Sequence, residues 1–125
     1  MLLQESLPHL RLDQEQLTAL DFALQGLPPG QVYLFGSRLD LKKRGGDIDI
    51  LIFSEAEPFQ LSHRVAVKFF EKCEEKIDVL VMNPNRLTEE QQAFLNQICK
   101  LQILYRLWPL GSSRYGSLLF SLTKI

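Results

Sequence analysis

Apolar positions along the chain fall into two alternating patterns, and these divide it into elements. Leu17, Leu20, Leu24 and Leu27 recur at helical spacing behind Asp13 and Gln16, a pair that reads as a capping box. Pro28-Pro29-Gly30 then ends that helix. Residues 31–35 form a short apolar strand leading into Gly36-Ser37, and residues 38–46 form a connector with a helical turn that ends in Gly45-Gly46. Residues 47–53 alternate strictly: Ile48, Ile50 and Ile52 point one way, Asp47, Asp49, Leu51 and Phe53 the other. Residues 76–82 repeat the pattern, with Ile77, Val79 and Val81 opposed to Asp78, Leu80 and Met82. Between these strands Pro58 suits the first turn of a helix on which Leu61, Val65 and Phe69 lie four apart, with Phe70 and Cys73 adjoining. Residues 83–85 read as a turn. Thr88 with Gln91 opens a last helix whose apolar face is Phe94, Ile98, Leu101 and Tyr105.

These elements assemble in one way. The first strand ends where the second begins, so those two run antiparallel. The second and third are joined by a helical crossover over residues 54–75, as parallel neighbours require. The expected class is α/β (α+β), a small mixed sheet of about three strands flanked by helices. Residues 1–106 form the single domain, and 107–125 a C-terminal extension. In that extension Trp108-Pro109 breaks the helix and Gly111 to Gly116 is loop-like. Residues 117–125 suit a partner-binding segment, an extra strand or an atypical extension. Residues 1–11 show no clear period.

Composition narrows the class. The chain has 125 residues, enough for one core. Its net charge of −1 provides no basic field for gripping a nucleic-acid backbone, which argues against a free-standing polymerase and against nucleic acid as partner. No apolar stretch is long enough to span a bilayer, and no basic-then-apolar leader opens the chain. Cys73 and Cys99 lack ligand-like spacing and read as reduced thiols of a cytoplasmic protein, with a single disulfide as the alternative. His9 and His63 fit no metal or catalytic pattern and are expected on the surface.

The chemistry sits at the strand ends. Asp47 and Asp49 share one face, and two acids so close resist ionising together unless a cation lies between them. Oxygen-only ligands suit a hard divalent ion such as magnesium, shared with a phosphate substrate. Asp78, of matching parity on the third strand, would bring a third carboxylate to the same edge. Gly36-Ser37 would let backbone approach a phosphate. Arg38 reads equally as a phosphate partner or a surface charge, and Lys42-Lys43-Arg44 as a solvated run or an attractor for the triphosphate.

Taken together, Gly36-Ser37, Asp47-x-Asp49 and the lone Asp78 resemble the DNA polymerase β-type nucleotidyltransferase superfamily, over roughly residues 12–106. The small stand-alone members, the minimal nucleotidyltransferases, are most similar. The resemblance implies the polymerase β-like fold, with catalytic and metal roles for Asp47, Asp49 and Asp78 and nucleotide or phosphate binding by Gly36, Ser37 and Arg38. It further implies two Mg2+ ions and ATP as substrate. Such small members typically accompany a HEPN-family toxin, so it implies transfer of AMP to a tyrosine of that partner: a protein adenylyltransferase acting as antitoxin of a type VII toxin–antitoxin pair. A hetero-oligomer or a homodimer fits this reading. The alternatives are a binding module that neutralises its partner by stoichiometric contact, and transfer to a small molecule. Two features depart from the family: the connector is about one residue short, and Gly46 precedes Asp47 where relatives often carry serine.

Overall fold

The computed structural model describes residues 11–27, 31–105 and 118–123. Helix α1 (Gln14–Leu24) is opened by Asp13, whose carboxylate accepts from the Gln16 amide at 2.8 Å while Gln16 Oε1 accepts from the Asp13 amide at 3.0 Å. Strand β1 (Val32–Phe35) runs into a 3-10 turn at Gly36–Leu39, and strand β2 (Ile48–Phe53) returns beside it. Helix α2 (Pro58–Lys72) has Glu57 as its cap and Pro58 at its start. It carries the chain across to strand β3 (Ile77–Met82). Helix α3 (Glu89–Gln97) opens with the Thr88–Gln91 capping box. Strands β4 (Lys100–Tyr105) and β5 (Leu118–Thr123) complete the order.

The five strands form one sheet in the order β3-β2-β1-β4-β5. β2 and β3 are parallel, and every other pairing is antiparallel. Both expected orientations therefore hold, and the reason is the alternation itself. Ile48, Ile50 and Ile52 are at most 1% exposed and face Val32, Leu34 and Val81 within one core cluster. Sliding either strand by one residue would send that apolar set to the opposite face. On the core side α1 contributes Ala19, Leu20, Ala23 and Leu24, and α2 contributes Leu61, Val65 and Phe69. A smaller cluster on the other face gathers Leu51, Met82 and Leu95 beneath α3, with the Phe35 and Phe94 rings edge to face at 5.6 Å.

The last third differs from the expectation. The helix expected to run through Leu101 and Tyr105 stops at Gln97, and Ile98 is already extended. Residues 100–105 form β4 instead, and among the described residues the sheet has five strands rather than about three. Leu101 and Ile103 satisfy a two-residue repeat as well as a helical one, and tertiary demand chooses between them. With β2 on one side only, β1 would have an unpaired edge beside Val32 and Leu34, both completely buried. Pairing with β4 closes that edge and sets Leu101 and Ile103 opposite Leu34 and Val32. At the chain end β5 pairs with β4, which is the extra-strand alternative. Trp108, the loop-like stretch from Gly111 to Gly116 and His9 lie outside the described residues.

Adjacent residues of α2 test the packing. Phe69 is fully buried while Phe70 is 59% exposed. We expect Phe69→Ala to lower unfolding free energy in urea by about 3–5 kcal/mol and Phe70→Ala to change it by no more than about 0.5 kcal/mol.

Candidate functional site

The amino ends of β2 and β3 and the carboxyl end of β1 meet at one edge of the sheet. Because the β2–β3 register sets Asp49 directly beside Asp78, the two carboxylates emerge on the same face. Asp47, one residue before β2, joins them and shares a side-chain hydrogen bond with Asp78. Asp49 also stands opposite Phe35, and a Cβ added to Gly36 would run into Asp49 Oδ2. Gly36 adopts φ +83°, which an L side chain resists, so both backbone and space demand glycine there. The bend of Gly36-Ser37 therefore lies against the acidic edge.

Electrostatics follow from this crowding. Burial, then the charges of Asp78 and Asp47, push the Asp49 carboxyl above the ordinary carboxylate range. Asp78 is pushed the same way, first by its hydrogen bond with Asp47, then by burial and by the Asp47 charge, against the opposing pull of Lys76. Lys76 Nζ lies 3.8 Å from Asp47 Oδ2 as an exposed, weak ion pair. An all-oxygen donor set whose members repel one another fits a hard divalent cation in charge and chemistry. Among the described residues no three such side chains are yet gathered as a metal-ligand group, so the carboxylates must turn toward a shared point to ligate.

The connector is held from behind. Arg38 is 6% exposed, and its guanidinium is spent on the protein itself. It donates to Gly46 O at 3.1 Å, Arg11 O at 2.8 Å and Gln16 Oε1 at 3.3 Å, and pairs with Glu75 at 3.4 Å. This corrects the surface-charge expectation for Arg38, because four of its five N–H groups are already committed inside the fold. Arg11 grips the same connector, donating to Ser37 O at 2.7 Å, Asp40 O at 2.8 Å and Gly45 O at 3.0 Å. Ser37 Oγ donates to Asp47 O at 3.4 Å. Gly46, at φ +87°, has no room for a side chain because a Cβ would strike Ser37 Oγ. Glycine before Asp47 is thus fitted to this connector. Lys42, Lys43 and Arg44 are exposed.

Sequence reasoning missed two residues. Arg11 lies in a stretch without periodicity, and only the tertiary path of the connector reveals its role. Lys100 falls where a helix was expected. As the first residue of β4 it stands opposite Phe35, in the cross-sheet row that runs Asp78, Asp49, Phe35, Lys100. It is 3% exposed with Nζ 5.1 Å from the Tyr33 ring centre, and burial lowers its pKa.

The mixed sheet sets the Gly-Ser bend and three aspartates along one edge. The nucleotidyltransferase domain family matches residues 15–98, more than half of the chain, and the protein belongs to that family. The fold is consistent with the polymerase β-like nucleotidyltransferase type, and β4 and β5 lie beyond the matched region. No curated protein matches the chain.

Two outcomes test the site. The folded-state pKa of Asp49 is raised, so the folded protein holds protons that the unfolded chain releases; stability falls as pH rises from the unfolded carboxyl range through that higher pKa. We therefore expect Asp49→Asn to raise the thermal midpoint at pH 7 without divalent ions, with the gain vanishing below about pH 4. A gain that persisted in acid would contradict the crowding. For the connector, Arg38→Ala should destabilise the fold by about 2–3 kcal/mol in urea because it orphans buried acceptors. Unchanged stability with weakened nucleotide binding would return Arg38 to the phosphate role.

Proposed function

We propose that the chain transfers AMP from ATP to a hydroxyl of a partner protein, a tyrosine of a helical HEPN-family toxin, and acts as its antitoxin. The single observation that supports the chemistry is the β2–β3 register, which sets Asp49 beside Asp78 with Asp47 adjoining, against the Gly36 bend. In the reaction the acceptor oxygen bonds to the α-phosphorus, the bond from that phosphorus to the bridging β oxygen breaks, and pyrophosphate departs. Asp47, Asp49 and Asp78 would hold Mg2+, which when bound neutralises charge on the transferring phosphate and the leaving pyrophosphate.

The remaining roles belong to the chain's own groups. Gly36 lets backbone come close to the triphosphate, and the Ser37 hydroxyl, held over Asp47 O, is placed to donate to a phosphate oxygen by rotation. Asp78 is exposed at the edge of the sheet, and there it would accept the proton of the attacking hydroxyl. The Arg38 and Arg11 contacts keep the bend in place. The partner assignment rests on the resemblance to small stand-alone members of the family.

The test incubates the protein with Mg2+, α-labelled ATP and the HEPN partner. Label should enter the partner as AMP, with a matching mass gain, and Asp47→Asn with Asp49→Asn should reduce transfer by at least about a thousandfold. Full neutralisation of the partner by that double variant, without label, would replace the enzyme reading with stoichiometric binding. Label on a small acceptor in the absence of any partner protein would place the substrate elsewhere.

A further inference from the structure

Helix α2 buries Leu61, Val65 and Phe69, yet its opposite side is apolar too. Phe59 is 72% exposed, Phe70 59% and Val67 45%, and the His63 ring stacks on Phe59 at 5.9 Å. At about 100° per residue these four side chains fall within roughly 80° of arc, a continuous outward stripe on a helix whose core contacts are already made. Small residues, Ser62 and Ala66, border the stripe on one side. Arg64 and Glu71 border it on the other, at nearly the same angle and about two turns apart, too far to pair within one helix. Neither makes an ion pair among the described residues. Lys68 and Lys72 are directed elsewhere, over the Phe22 ring at 5.5 and 4.8 Å.

This arrangement is complementary to itself. We infer that the exposed face of α2 binds a second copy of this chain, the two helices crossing antiparallel near Val67. A twofold axis perpendicular to both helices keeps each charged border on the same side and reverses its direction. Arg64 of each copy then meets Glu71 of the other, giving two equivalent ion pairs beside the buried Phe70 and Val67 side chains. The small border of Ser62 and Ala66 lets the helices approach closely. A partner of arbitrary sequence would not need charges placed evenly about the midpoint; a second copy does. α2 packs on the core side of the sheet, whereas Asp49 and Asp78 emerge on the other, so association leaves the acidic edge open. One helix pair buries less than about 1,200 Å2, so the dimer should be weak and concentration-dependent.

Sedimentation velocity from low micromolar to submillimolar protein tests this independently of the nucleotidyl-transfer reading. The wild-type chain should pass from monomer to dimer, and Val67→Glu should remain monomeric with an unchanged thermal midpoint. Arg64→Glu alters both symmetric pairs at once and should weaken association roughly tenfold. Adding Glu71→Arg to it should restore association to within about threefold of wild type. A monomer throughout, or a dimer indifferent to both charge variants, overturns the proposal. Label transfer by the same variants should equal wild type, so loss of transfer and loss of dimer are read separately.

Discussion

Like charges crowded at one sheet edge are the constraint around which this protein is built. Asp49 and Asp78 approach because parallel pairing of β2 and β3 puts both side chains on one face, and Asp47 joins them from the residue before β2. The repulsion costs on the order of 1 kcal/mol per pair in near-aqueous surroundings. Behind it, Ile48, Ile50 and Ile52 are essentially fully buried, each contributing about 1.5–3 kcal/mol. Burial wins, and the carboxylates are held together against their own preference. Burial first and the neighbouring charges second push the Asp49 carboxyl above the ordinary range, and the hydrogen bond with Asp47 leads the same shift at Asp78.

A crowded acidic edge is useful only if the facing backbone stays put. The connector from Ser37 to Gly46 has little side-chain packing of its own; Arg11 and Arg38 supply the order. Arg38 ties Gly46 to the start of α1 and to Glu75, and Arg11 gathers the carbonyls of Ser37, Asp40 and Gly45. Rigid positioning of this kind supports transfer chemistry, where misplacement of reacting groups by about 1 Å can cost a hundredfold in rate.

Much of this was legible in the chain. The alternation of Ile48 to Phe53 and Ile77 to Met82 carries parity, and parity alone puts Asp49 and Asp78 on one face. The capping residues Asp13 and Thr88, and Pro58 at the start of α2, mark helix starts through local hydrogen bonding, which needs no knowledge of the fold. What failed was non-local. Ile98 to Tyr105 suits a helix as readily as a strand, and only the open edge of β1 decides it. An arginine after a Gly-Ser bend looks the same whether it faces solvent or the interior; the course of residues 11–16 beneath the connector settles Arg38. Lys100 was invisible for the same reason, since its place in the row with Asp49 exists only once β4 is a strand.

Binding of Mn2+ in place of Mg2+, followed by electron paramagnetic resonance with ATP present, bears most directly on the shared acidic corner. Wild type should bind saturably, and Asp49→Asn and Asp78→Asn should each weaken binding by about tenfold or more, since both belong to one ligand set. Undiminished binding by the Asp78 variant would separate that carboxylate from the other two and contradict the account.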